Sequence, residues 1–160
     1  MNALRTAALA TAAASGVMGG VLYGFSSFVM PALRRLPASQ AVATMQAINR
    51  TAPRALGLPL VVSGPGTAAV AAWALTRADV PDAARTLFVT GAVTAVAAFA
   101  ITAGYHVPRN NRLDTVDATS AAAASAWGAF VPGWVSMNHA RTALSLVSSC
   151  LVLAGAVQLP

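Results

Sequence analysis

The sequence predicts an all-α integral membrane protein: one domain, residues 1–160, folded as a four-helix bundle with interfacial helical connections. Three observations predict it. Of 160 residues, 57% are hydrophobic and only 9% charged, whereas soluble domains carry about 25% charged residues. Four runs, 6–33, 55–76, 86–105 and 142–160, contain no charged side chain, and each is near or above the ~20 residues a helix needs to cross the hydrocarbon layer. Spanning segments must satisfy their own backbone hydrogen bonds, which helices do segment by segment.

The first span is placed at about 6–30. The opening "MNALRTAALATAAASG" also has the order of a secretory leader, a basic residue, a short apolar stretch and small residues. Because apolarity continues through "VMGGVLYGFSSFVM", a retained helix is preferred. Gly16, Gly20 and Gly24 recur at spacing four, a small-residue face suited to packing within the bundle or to a homo-oligomer contact.

A polar connection follows. Within it "MQAINRTAPR" ends a short helical stretch with Ser39 as its N-cap. Gln46, Asn49 and Arg50 would face the interior or water while Ala43, Met45 and Ile48 face lipid, and an interfacial amphipathic helix with snorkelling arginines explains the pattern equally well. The second span is about 56–76, with "SGPG" at 63–66 as a kink or break. "RADVPDAAR" is a short turn into the third span, about 86–106, which Pro108 is expected to end. Residues 118–140 are uncharged and compete as a fifth span. The "VPGW" at 131–134 argues instead for a surface or re-entrant helix over about 115–130, a bend at Pro132-Gly133, and a last span over about 134–158. Cys150, the one cysteine, reads as a buried small hydrophobe.

All ten basic residues are Arg and all four acidic residues are Asp, for a net charge of +6. Nucleic acid is excluded as a partner, because the arginines sit at the edges of apolar runs and form no stripe; lipid phosphate suits them better. Arg34, Arg35, Arg50, Arg54, Arg109, Arg112 and Arg141 fall on one side and Arg5, Arg77 and Arg85 on the other. The positive-inside rule then places both long connections in the cytoplasm, as expected of a cytoplasmic-membrane protein. No glycine fingerprint for a dinucleotide and no Cys-x-x-Cys pair occurs.

Polar residues reach the Arg-rich side in three groups: "AINR" at 47–50, "YHVPRNNRLD" at 105–114 and "WGAFVPGWVSMNHARTALS" at 127–145. In the second, Asn110 and Asn111 can cap exposed backbone groups. In the third, Trp134, Asn138 and Arg141 recur at i, i+4 and i+7 on one helix face. Polar groups inside a span are costly and mark functional sites by default. His139 points about 100° away from Asn138 around the helix.

With these elements in this order, the chain resembles the family of small membrane proteins that includes the fungal anthrone oxygenases. The most specific pieces are Pro108-x-Asn110-Asn111-x-Leu113 and Trp134-x-x-x-Asn138-x-x-Arg141. The resemblance implies a four-helix membrane bundle and the oxidation of an anthrone methylene to a quinone carbonyl with dioxygen, in a lipophilic aromatic substrate of polyketide type. Such chemistry needs a base, oxyanion donors and a dry pocket. Residue types and resemblance together nominate His106 or His139 as base, and Arg112, Arg141, Asn110 and Asn138 as oxyanion donors. Asn49 and Asn111 join the substrate-binding set, with Trp127, Phe130 and Trp134 as walls. No cofactor is called for. The alternative is non-haem iron or another transition metal held by His106, Asp114 and His139, although no compact ligand spacing supports it. A non-enzymatic protein that binds a lipophilic ligand or a partner is the second function class. It would spread the polar residues along the surface, whereas an enzyme would gather Asn49, Asn110, Asn138 and Arg141 around one enclosed pocket.

Overall fold

The computed structural model describes residues 3–159, and its regular elements are all helical. Four helices form the bundle: α1 (Ala3–Leu33), α2 (Ala38–Leu75), α3 (Asp82–Asp114) and α4 (Ala123–Val157). Each is long and apolar enough to cross a bilayer, with 31 to 38 residues. At 1.5 Å per residue that is about 47–57 Å, well beyond the ~30 Å of hydrocarbon. The surplus length lies at the Arg-rich end, because the polar segments continue the spans as helix. α4 packs along both α1 and α3, and α2 closes the ring against the same two helices.

Two apolar clusters stabilise the ends. One, near the chain termini, joins Leu4, Ala8, Val70, Phe88, Val152 and Ala156. The other, at the Arg-rich end, joins Met30, Leu33, Val42, Met45, Leu113, Trp127, Phe130 and Trp134. The buried polar side chains include Ser15, Ser26, His106, Asn138, Arg141, Ser145 and Ser148, and most lie in the layer between the clusters. Close helix approach depends on missing side chains. A Cβ on Gly19 would sit 2.6 Å from Leu146 Cδ2, and one on Gly155 would sit 2.8 Å from Phe88 Cε1. Of the anticipated glycine face, Gly16 meets Ser149 of α4, while Gly20 has nothing within 4 Å of its Cβ position.

The short turn between α2 and α3 is tied by a two-pronged pair, Arg77 Nε and Nη2 donating to Asp79 (2.9 and 2.7 Å), and by Arg85 Nη1 donating to Asp82 (2.8 Å). The Arg77 hydrogen bond holds the Asp79 carboxyl below its ordinary range. In the longer connection, Thr119 donates from its N–H and hydroxyl to Asp117, with the same direction of effect.

Several boundaries differ from the sequence expectation, each for a physical reason. Prolines do not stop these helices. α1, α2 and α3 each contain one widened, π-type turn: Phe25–Val29, Val62–Gly66 and Thr102–His106. Pro31 and Pro108 follow two of these turns and Pro65 lies in the third. A proline ring collides with the carbonyl four residues back, and a widened turn moves that carbonyl aside. Pro108 therefore does not end α3, and "SGPG" is a widened turn within α2 rather than a break.

Nor does the 38–55 segment form a separate interfacial helix; it is the first half of α2. Ser39 is not the cap, because Pro37 precedes the helix with an extended ψ of 142° and no side chain caps it. The separate helix anticipated over 115–130 gives way to one continuous α-helix of 35 residues, α4, which runs through Pro132-Gly133 without a break. Proline inside a helix costs about 3 kcal/mol. Burial of Trp127, Phe130 and Trp134 on the flanking turns, at about 1.5–3 kcal/mol for a large apolar side chain, outweighs it. Cys150 is exposed, so it faces outward from the bundle rather than into its core.

Candidate functional site

Between the two apolar clusters lies a cavity of about 260 Å³, near the lower end of the ~300–1,000 Å³ common for small-molecule sites. All four helices wall it. α1 gives Met18, Leu22 and Phe25, and α2 gives Met45, Asn49, Pro53, Leu56 and Gly57. α3 contributes Thr102, His106 and Asn110, and α4 contributes Trp134 and Arg141. Pro53 and Val107 line the cavity and are themselves exposed, so the space reaches the surface between α2 and α3.

Arg141 supplies the one full charge among the lining residues, and it is only 5% exposed. Its Nη2 donates to Asn138 Oδ1 (2.6 Å) and its Nη1 to Thr102 Oγ1 (3.2 Å). Nε is buried without a partner, and no carboxylate pairs with the guanidinium among the described residues. The ion pairs that do form are Arg77–Asp79 and Arg85–Asp82, at the opposite end. A guanidinium this deep in a span costs at least ~2.5–3.5 kcal/mol, so its neutral partners hold it in place without balancing its charge.

Asn138 is fully buried and fully used. Its Nδ2 donates to Leu22 O and Ser26 Oγ, both at 2.7 Å, while its oxygen receives Arg141. It stands behind Arg141 and joins α4 to α1 rather than facing the cavity. Asn110 works differently. Its oxygen accepts from Trp134 Nε1 at 3.0 Å, which leaves its amide N–H groups as donors beside the cavity. Asn49 lies at the mouth, donating to Asp114 Oδ1 at 3.3 Å. Nearby, Gln46 Nε2 donates to Leu113 O (2.9 Å) and Val116 O (2.8 Å), fastening α2 to the end of α3.

His106 is 1% exposed. Its Nε2 lies 3.3 Å from Trp134 O and its Nδ1 3.4 Å from Ile101 O. Its ring packs edge-on to Trp134 with centroids 5.2 Å apart. The widened turn Thr102–His106 gives it this position, because it turns His106 and Thr102 toward α4 while Pro108 follows in helix.

The structure thus gathers Asn49, His106, Asn110, Trp134 and Arg141 around one cavity, with Asn138 directly behind. It does not gather the rest. His139 is exposed, being one residue from Asn138 and on another face. Asn111 and Arg112 are exposed on the outer side of α3. Trp127 and Phe130 are stacked on each other at 5.7 Å and buttress Trp134 from the Arg-rich side instead of walling the cavity. His106, Asp114 and His139 do not assemble, and the described residues hold no group of three or more His, Cys, Asp or Glu able to hold a metal ion.

Sequence reading missed Thr102 and Ser26, the hydroxyls that support Arg141 and Asn138, and the apolar wall from α2. A threonine inside the apolar run 86–105 was the available signal for Thr102. Ser26, beside Ser27 at a helix end, gave none.

Comparison with curated proteins and with solved structures finds no match to the chain. The profile of the anthrone oxygenase family matches residues 45–151. That match runs from the first half of α2 to near the end of α4, and takes in every cavity-lining side chain of α2, α3 and α4. The chain, an integral membrane protein of four helices, belongs to the anthrone oxygenase family.

Proposed function

We propose that the protein is a membrane oxygenase that uses dioxygen to oxidise the activated methylene of a small lipophilic aromatic molecule of the anthrone type. The observation that carries this reading is the meeting of Arg141 and the Asn110 amide with His106 on a mostly apolar cavity.

The reaction balances as a methylene plus dioxygen giving a carbonyl plus water. An anthrone methylene is acidic because loss of its proton gives an aromatic oxyanion. In the proposed pose the substrate ring lies against Trp134, Leu56 and Met45, with its carbonyl oxygen toward Arg141 and Asn110. His106 takes the methylene proton. Arg141, which pairs with no carboxylate among the described residues, meets the charge that develops on oxygen, in a site whose low dielectric strengthens the interaction. The carbanion carbon then gives electrons to dioxygen, and the peroxide anion so formed takes back the proton held by His106 to give a hydroperoxide. Loss of the second methylene proton with cleavage of the O–O bond leaves the carbonyl and releases water. The reaction so written uses dioxygen as its oxidant and no bound cofactor.

Purified protein in detergent, supplied with anthrone and air, is expected to produce anthraquinone with one dioxygen consumed per product. Unchanged turnover in both His106→Ala and Arg141→Gln would remove the proposed roles. A metal requirement is checked separately, by elemental analysis of protein purified without added metal.

One observation favours a second reading. Both ring nitrogens of His106 already face backbone carbonyls, as in a histidine that joins α3 to α4. On that reading the cavity binds a lipophilic anion without converting it. Binding of anthrone with no oxygen uptake would support it.

We place the protein in the cytoplasmic membrane with the Arg-rich end inside. Arg141 lies within the bundle and drops out of the charge comparison, leaving Arg34, Arg35, Arg50, Arg54, Arg109 and Arg112 against Arg5, Arg77 and Arg85.

A further inference from the structure

A second cavity, of about 230 Å³, lies between the last turns of α3 and the first turns of α4. Arg109 and Arg112 line it together with Leu113, Val116, Ala126 and Phe130. It therefore has two cations on an apolar floor and no acidic residue in its lining.

Arg109 is held by two contacts, in space that a glycine leaves open. Its guanidinium lies over the Tyr105 ring, 4.8 Å from the centroid. Its Nη2 donates to Ala129 O at 3.4 Å. Gly133 leaves the space that both residues use, since a Cβ there would sit 2.5 Å from Tyr105 Oη and 3.1 Å from Arg109 Nη2. Even so, Arg109 Nε is buried without a partner, and neither arginine pairs with a carboxylate among the described residues. Surface arginines that only snorkel need no such support. A planar guanidinium that is fixed, stacked and unpaired has the geometry that binds a phosphate.

We propose that this groove is a binding site for the phosphate headgroup of an anionic membrane lipid, separate from the central cavity. Arg109 and Arg112 take the phosphate oxygens, and the first part of an acyl chain lies over Leu113, Val116 and Phe130. The site stands at the Arg-rich ends of the helices, where lipid headgroups lie.

The test uses full-length protein delipidated in detergent and titrated with phosphatidylglycerol, with bound lipid counted by native mass spectrometry. Arg109→Gln with Arg112→Gln is expected to weaken the tightest lipid by about tenfold or more, the scale of one lost charge-assisted contact. Arg34→Gln with Arg35→Gln removes the same charge from the same end and is expected to leave it unchanged. Equal loss in both pairs would overturn the proposal in favour of diffuse attraction. Full competition by inorganic phosphate would overturn it as a lipid site. Should the Gln pair fail to fold, Arg109→Lys with Arg112→Lys keeps the charge and loses the fork, and Gly133→Ala displaces Tyr105 and Arg109 and leaves Arg112 in place. Both are expected to weaken binding, and wild-type affinity in both would overturn the proposal.

Discussion

Truncating Asn138 removes one hydrogen-bond partner from each of three groups, Leu22 O, Ser26 Oγ and Arg141 Nη2. A buried donor or acceptor left unsatisfied costs about 1–3 kcal/mol, more when charged. Asn138→Ala is therefore expected to lower the unfolding free energy by about 2–4 kcal/mol, read as a drop in Tm in detergent. Arg141→Gln should act in the opposite sense on stability, because it removes an uncompensated buried charge and retains a polar amide beside Asn138 and Thr102. It is expected to hold or raise Tm while cutting turnover by about tenfold to a thousandfold, the range for loss of one oxyanion donor. A lower Tm with normal turnover would show that Arg141 is structural. Trp134, Asn138 and Arg141 were legible in the sequence because a 3.6-residue period put them on one face. His106 was legible only as a residue type, since the widened turn that aims it leaves no periodic trace. His139 misled because it is the neighbour of a site residue, and neighbours on a helix diverge.

At the scale of the element, the charge-free runs marked the four helices correctly, and their ends were what the sequence concealed. Proline and polar residues normally argue for loops. Here they are carried inside helices that project beyond the hydrocarbon, where water and headgroups accept polar side chains without unwinding the backbone. Two consequences are measurable. Pro108→Ala restores the missing N–H and removes the reason for the widened turn before it. Reversion of that turn to ordinary helix would rotate His106 away from Trp134, so turnover should fall while Tm stays the same or rises. Gly57 borders the cavity with nothing within 4 Å of its Cβ position. Gly57→Leu should therefore fill space without moving backbone. Affinity for a three-ring substrate should fall more than affinity for a one-ring analogue, with Tm unchanged. Equal effects on the two ligands would mean that the ring does not occupy this part of the cavity.

The interior of the molecule divides by depth: an apolar core at the end of the termini, a polar layer around Arg141, then an aromatic core at the arginine-rich end. The sequence made this order legible through the uneven placement of arginine, but not the cavity itself, whose lining reaches the surface at Pro53 and Val107. If the Arg-rich end faces the cytoplasm, a thiol introduced at Leu36 should be labelled from inside and one at Asp79 from outside in whole cells, on a Cys150→Ser background. Labelling with the reverse sidedness would invert the topology and leave the site unchanged. The lateral position of the cavity mouth has a further consequence for how activity is measured. A substrate that reaches the mouth by partitioning is sensed as a mole fraction in the surrounding amphiphile, not as a concentration in the buffer. Adding detergent micelles at fixed total substrate should therefore raise the apparent KM in proportion, and rates collected at several detergent levels should fall on one curve when plotted against substrate per amphiphile.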